Sequence, residues 1–172
     1  MEHNCDAYVR IPYPKLSVEG KNDAYANILL SLYAGRISEM TAVSTYSYQT
    51  VQLKESHPEA STLMKCISIT EMKHFDILAA LIKMLGTDPR LVAPAKNMSR
   101  RNRYFWWTGE YVNYAKDYNT IIDSNIAAEK SAIAEYKRAI QMIADKGITD
   151  VIERIILDEE KHIEIFESLN NK

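Results

Sequence analysis

Two thirteen-residue stretches of this chain align without gaps, CISITEMKHFDIL at 66–78 and RIILDEEKHIEIF at 154–166, and they share Ile, Glu, Lys, His and Ile in register. A second pair, SEMTAVSTY at 38–46 and AEKSAIAEY at 128–136, shares Glu-x-x-Ala-x-x-x-Tyr. The order of the four stretches makes the chain two copies of one unit, and that repeat restricts the fold more than any other feature. Apolar residues within each copy recur at spacings of 3 and 4, the signature of a helix with one buried face. Each unit therefore reads as a pair of helices.

The five Gly and five Pro cluster mainly in the N-terminal segment, at Pro58, at 86–94, at Gly109 and at Gly147, leaving long blocks between. Helices are expected over 23–55, 58–85, 110–144 and 149–170, with an extended segment over 1–22. Leu32, Glu39, Ala42, Val43, Tyr46 and Leu53 mark the stripe of the first helix, and Leu63, Met64, Ile67, Glu71, His74, Leu78, Leu81 and Leu85 that of the second. The third carries Ala115, Tyr118, Ile122, Glu129, Ile133, Tyr136, Ile140 and Ile143, and the fourth Ile152, Ile155, Glu159, His162, Ile163, Phe166 and Leu169. Pro58 suits a first helical turn, Gly147 a C-terminal cap and Thr149 an N-cap. No alternating pattern argues for a strand. The turns near 56–57 and 145–147 are short, so each joins antiparallel neighbours. The middle connection, 86–109, reaches roughly 75 Å at ~3.3 Å per residue, enough to pass from one end of a bundle to the other. The expected architecture is all-α, a ferritin-like four-helix bundle of two antiparallel hairpins joined by a long crossover.

The stripes are interrupted by polar residues at matched depths. Glu39 and Glu71 lie equally far from the first turn, and Glu129 and Glu159 equally far from the second. At ~1.5 Å per residue that depth is about 24 Å, near the middle of the bundle. Glu71 with His74, and Glu159 with His162, are three apart and share a helix face. Four ionised carboxylates in a bundle core would cost several kcal/mol each in lost hydration, so protons or cations must compensate. Two divalent metals neutralise four carboxylates, and a carboxylate and imidazole set suits iron or manganese. One Glu from each of two helices with Glu-x-x-His from each of the other two is the di-iron or di-manganese pattern. The expected ligands are Glu39, Glu71, His74, Glu129, Glu159 and His162. Tyr46 and Tyr136, seven residues beyond Glu39 and Glu129, either hydrogen-bond site carboxylates from behind or serve as plain core.

Other residues fit blander roles. Glu135 and Glu160 fall off their stripes onto solvated faces, His57 lies in a turn, and His3 in a tail. With a formal net charge of -2 the 172-residue chain offers no extended basic surface, so SRRNRYFWW at 99–107 is better read as aromatic packing over the bundle or in a dimer seam than as a nucleic-acid site. No signal-peptide core or membrane-length apolar run is present, which points to one cytoplasmic domain spanning 1–172, with no membrane partner. Only Cys5 and Cys66 are available, without a Cys-x-x-Cys pair. That excludes a disulfide framework, a zinc ribbon and a rubredoxin-type iron, and leaves Cys66 as a buried, inert thiol.

The paired Glu-x-x-His motifs, together with IPYPKLSVEG and LLSLYAGRISEMTAVSTYSYQ, resemble the ferritin-like di-metal superfamily in its rubrerythrin and manganese-catalase-like branch, over nearly the whole chain. The resemblance implies terminal ligation by Glu39 and Glu129, bridging by Glu71 and Glu159, and one imidazole per metal from His74 and His162. Glu71 and Glu159 are then also the candidate catalytic carboxylates. The resemblance departs at the absent rubredoxin cysteines and at Ile126 and Ala132, three residues either side of Glu129, where an additional carboxylate is missing. It implies two divalent ions (Fe or Mn) per chain, no haem, and an oxidoreductase acting on hydrogen peroxide as a homodimer or larger homo-oligomer. Catalase-like turnover needs no further reductant, whereas peroxidase-like turnover needs a separate electron donor. Ferroxidase activity on ferrous iron and dioxygen, or a metal-stabilised structural bundle, are the alternatives.

Overall fold

The computed structural model describes residues 5–95 and 104–170. Among the described residues there are five α-helices: α1 (Asp23–Ala34), α2 (Glu39–Leu53), α3 (Pro58–Met84), α4 (Tyr118–Met142) and α5 (Lys146–Asn170). α1 and α2 follow one another along α3, α2 packs antiparallel to α3 and α4 to α5, and α3 meets α5 across the bundle. The four-helix, two-hairpin architecture with its long crossover is the expected one.

Four details differ from the sequence expectation. The helix expected over 23–55 breaks at 35–38, and each part has its own N-cap: Asn22 accepts from the backbone N–H of Tyr25, and Ser38 from that of Thr41. A side chain on Gly35 would press against the carbonyl oxygen of Ser31, so the break occurs where the chain carries no Cβ. Competing capping at Ser38 decides the matter, since it satisfies the first donors of α2 locally. The third helix begins at Tyr118 rather than 110, where the Asp117 carboxylate accepts from Thr120, and a single 3₁₀ turn, Gly109–Tyr111, precedes it. α5 begins at Lys146, with Gly147 inside its first turn. Asp145, not Thr149, accepts from the N–H groups of Gly147 and Ile148. Lastly, the crossover contains a short antiparallel ribbon of β1 (Val92–Pro94) and β2 (Tyr104–Trp106), paired Val92 to Trp106, Ala93 to Phe105 and Pro94 to Tyr104. Three-residue strands are too short to leave an alternating signal.

The interior has two apolar halves. One gathers Leu29, Leu30, Leu78, Leu81, Ile82, Ile152 and Ile155 where α1, α3 and α5 meet. The other gathers Met64, Ile67, Ile121, Ile122, Tyr46 and Phe166. Between them lies a polar layer made of Glu39, Glu71, His74, Glu129, Glu159 and His162, all 3% exposed or less. The apolar halves thus seal a layer of charge from water on two sides.

The path of the extended N-terminal segment over this layer was not legible in the sequence. The N-terminal segment lies along α3 and α5, and Cys5 is joined to Cys66 in a disulfide with their Cα atoms 5.1 Å apart. The expectation of unpaired cysteines with Cys66 as an inert thiol is therefore wrong. Their separation of 61 residues carried no local signal, and only the return of the segment to the middle of α3 brings them together.

Candidate metal centre

α2 contributes Glu39 from its first turn, α3 contributes Glu71 and His74, α4 contributes Glu129, and α5 contributes Glu159 and His162. Both imidazoles turn Nδ1 inward. Around His74 Nδ1 lie oxygens of Glu71 at 3.1 Å, Glu159 at 3.2 Å and Glu39 at 3.6 Å. Around His162 Nδ1 lie oxygens of Glu71 at 3.0 Å, Glu159 at 3.1 Å and Glu129 at 3.5 Å. One ring nitrogen has one proton or one lone pair, so it cannot satisfy three oxygens at once. Glu39 Oε2 and Glu71 Oε1 are left buried without a hydrogen-bond partner. Such atoms are costly to leave unpaired, and a cation placed among them would satisfy them.

Two donor groups follow from these distances. Glu39, Glu71, His74 and Glu159 have ligand-type atoms within 4.8 Å of one another, as do Glu71, Glu129, Glu159 and His162. Glu71 and Glu159 belong to both groups, and the two rings stand 6.1 Å apart. Each group could hold one metal ion, and the hard oxygen and borderline nitrogen donors fit iron or manganese. The two tyrosines cross the bundle to the opposite glutamates. Tyr46 donates to Glu129 Oε1 at 2.6 Å, and Tyr136 donates to Glu39 Oε1. They are also core residues, 1% exposed each.

The electrostatics of the six groups by themselves show what charge a cation would compensate. Burial and the neighbouring Glu71 raise the Glu39 carboxyl well above the usual carboxylate range. Glu129 is pushed up to about 8 by burial and by the Glu159 and Glu71 charges. Burial also raises Glu71, but the adjoining imidazoles of His162 and His74 outweigh it and hold the group low. Both imidazoles are desolvated, yet the surrounding carboxylates raise them well above the ordinary value, with Glu159 foremost for His74 and Glu71 for His162. In a metal-free site, protons do the neutralising that divalent ions would do.

Outside this ring lies a support that the sequence reading missed. His74 Nε2 meets Asp158 Oδ2 at 3.2 Å, while Asp158 Oδ1 accepts from the N–H of Val9 at 2.7 Å and pairs with Arg154 at 2.8 Å. Tyr13 donates to the same Asp158 oxygen as His74. Arg154, 4% exposed, donates to the carbonyls of Ile11 at 2.7 Å and Val9 at 2.5 Å. His162 Nε2 instead meets the carbonyl of Ala7 at 2.9 Å. Asp158 precedes Glu159 directly and lies four residues after Arg154, so a buried ion pair on α5 was available as a signal. It was hidden because both residues lie outside the apolar stripe, on a face that only the N-terminal segment covers.

The remaining sequence candidates lie elsewhere. His57 stacks on Tyr118 with ring centroids 4.0 Å apart, away from the centre. His3 and residues 99–103 lie outside the described residues. Of the two tryptophans, Trp107 donates to Thr41 Oγ1 at 3.0 Å, and Trp106 is 67% exposed. A cleft of about 280 Å³ opens between α2 and α4, and Tyr46 and Glu129 form part of its wall. A smaller space, about 20 Å³, shares Ile37, Ser38, Ala42, Glu129 and Ala132 with it and reaches Glu39, Glu71 and Glu159.

Residues 32–170 match the family model for rubrerythrin. The chain belongs to the rubrerythrin family. It is 26% identical to a probable manganese catalase of Clostridium acetobutylicum over 92% of this chain and 75% of that one. It is likewise 26% identical to the bacterioferritin of Desulfovibrio desulfuricans, over 88% of this chain and 78% of that one. The crystal structure of KatB, a manganese catalase from Anabaena PCC7120, superposes with a TM-score of 0.81 at 20% identity, covering 95% of this chain and 78% of that one. The D. desulfuricans bacterioferritin structure, described with a diiron site, superposes with a TM-score of 0.70 at 25% identity, covering 87% and 81%. Rubrerythrin-family membership agrees with the di-metal superfamily resemblance carried by the sequence motifs. Among the described residues, no helix is long and apolar enough to cross a membrane.

Proposed function

We propose that this protein is a di-metal oxidoreductase acting on hydrogen peroxide, with Glu39, Glu71, His74, Glu129, Glu159 and His162 as its ligands. The observation that carries this reading is the pair of overlapping donor groups sharing Glu71 and Glu159. Two bound ions would supply paired one-electron redox changes, the chemistry that a protein side chain lacks. Glu39 and Glu129 would each serve one ion, and Glu71 and Glu159 both. The likeness to a probable manganese catalase supports peroxide as the substrate.

The chain's own residues would supply position, protons and exclusion of water. Peroxide disproportionation consumes two protons when one molecule is reduced and releases two when the next is oxidised, so nearby groups must hold protons between halves. Glu71 and Glu159 belong to both donor groups. Glu129 lines both the cleft and the inner space, so its carboxylate lies beside the route that an incoming small molecule would take. Ala42 and Ala132 keep the passage open to a small molecule. Tyr46 and Tyr136 hold Glu129 and Glu39 in orientation.

A second reading, ferrous iron oxidation, is favoured by the bacterioferritin likeness. Elemental analysis of protein purified without added metal, followed by oxygen evolution from peroxide on the same sample, separates the two. Two redox metals per chain and oxygen release support the peroxide reading. Iron uptake without peroxide turnover, in a large hollow assembly on a sizing column, overturns it in favour of iron handling.

A further inference from the structure

The ligand set is nearly symmetric under exchange of the two hairpins, but the support behind its histidines is not. At the position where α5 carries Asp158, the acceptor for His74, the matching residue of α3 is Thr70. A threonine there does not reach His162. Its hydroxyl donates to the carbonyls of Ala7 and Cys66, at 3.4 Å each. The acceptor for His162 is instead the Ala7 carbonyl, borrowed from the N-terminal segment. Ala7 is 1% exposed, and two residues before it the segment is tied to α3 by the Cys5–Cys66 disulfide.

We infer that the Cys5–Cys66 disulfide is a redox-sensitive latch that positions His162 through the Ala7 carbonyl and thereby sets the metal affinity of one of the two donor groups. This rests on the di-metal reading above. The latch is selective because the segment is held in two independent places. Residues 9–13 are fixed to α5 by Arg154 and Asp158, through the backbone of Val9 and Ile11 and the hydroxyl of Tyr13. Residues 5–7 depend on the disulfide, the two contacts of the Ala7 carbonyl and the packing of Ala7. Opening the disulfide frees the end that serves His162 and leaves the end that serves Asp158 and His74 in place.

The chemistry balances with reagents of known class. A dithiol reductant attacks the Cys5 sulfur, since Cys5 is partly exposed and Cys66 only 4% exposed. The S–S bond breaks, each cysteine takes up a proton, and the reductant leaves as its own disulfide. Hydrogen peroxide reverses the change, two thiols and one peroxide giving the disulfide and two waters. The proposed substrate would thus close the latch on the site that consumes it.

The test uses the full chain with manganese(II) as the probe, titrated against a chelator. Oxidised protein should bind two ions. Treatment with a phosphine reductant, or the Cys5→Ser substitution, should weaken one of the two positions by about 10–100-fold and leave the other, the range found when an orienting partner of a metal-bound histidine is lost. Peroxide should restore the parent and leave Cys5→Ser unrestored, a reversal that general destabilisation would not give. In metal-free protein, amide exchange should rise over residues 5–8 on reduction and stay slow over 9–13. Two unchanged manganese affinities after reduction overturn the latch and leave the di-metal reading intact, whereas oxidised protein that binds no metal overturns the di-metal reading and the latch with it.

Discussion

Glu71 and His162 sit where single substitutions have distinct consequences. Glu71 belongs to both donor groups, so Glu71→Ala should reduce binding from about two ions per chain to one or none. His162→Ala should remove one ion, and elemental analysis after purification reads both. If either variant retains both ions, the ligand assignment is wrong. Tyr136→Phe removes a donor from Glu39 without changing core volume. It should lower metal affinity about 10-fold or more while leaving the fold intact, as read by competition with a chelator. His74, His162, Glu39 and Glu129 all carry raised pKa values, so metal loading at neutral pH should release up to one proton from each. Calorimetric titration in buffers of different ionisation enthalpy measures this, and binding without proton release would contradict the charge balance described above.

At the level of elements, crossings between chain segments are the sensitive points. Gly147 lets the N-terminal segment pass over the first turn of α5, since a Cβ there would meet the carbonyl and hydroxyl oxygens of Ser17 at 2.5 Å. Gly147→Ala should therefore cost about 1–3 kcal/mol in urea unfolding, although Ala ordinarily favours helix. Gln49 and Asn125 exchange two hydrogen bonds between α2 and α4, 3.1 and 2.7 Å long, within an apolar half of the core. Such a reciprocal pair, with the Tyr46–Glu129 and Tyr136–Glu39 hydrogen bonds, fixes the register of α2 against α4. Neither crossing was visible in the stripe pattern, because each depends on what a distant segment does.

For the whole molecule, metal and pH should act together on stability. Glu129 has its carboxyl raised from 4.5 to about 8 in the folded metal-free protein. The stability that its protonated form allows is complete below pH 4.5 and is lost as pH rises toward 8. Melting of metal-free protein should therefore fall by several degrees over that interval, while bound ions, which replace those protons, should remove the decline. The gap between loaded and metal-free melting temperatures should widen with pH. A constant gap would mean that these carboxylates are not the groups the ions neutralise.

The sequence by itself determined the repeat, the all-α class, the two hairpins, the crossover and the depth at which six polar residues interrupt four apolar stripes. Helix periodicity and the cost of buried charge are local, additive rules, so a single chain displays them directly. Only the tertiary structure decided the Cys5–Cys66 pairing and the different acceptors behind His74 and His162. Those features arise where an irregular segment, whose path no periodicity records, returns across a finished bundle. Its backbone carbonyls and N–H groups carry no residue-specific mark, so the sequence could show which side chains meet at the centre but not which backbone would hold them there.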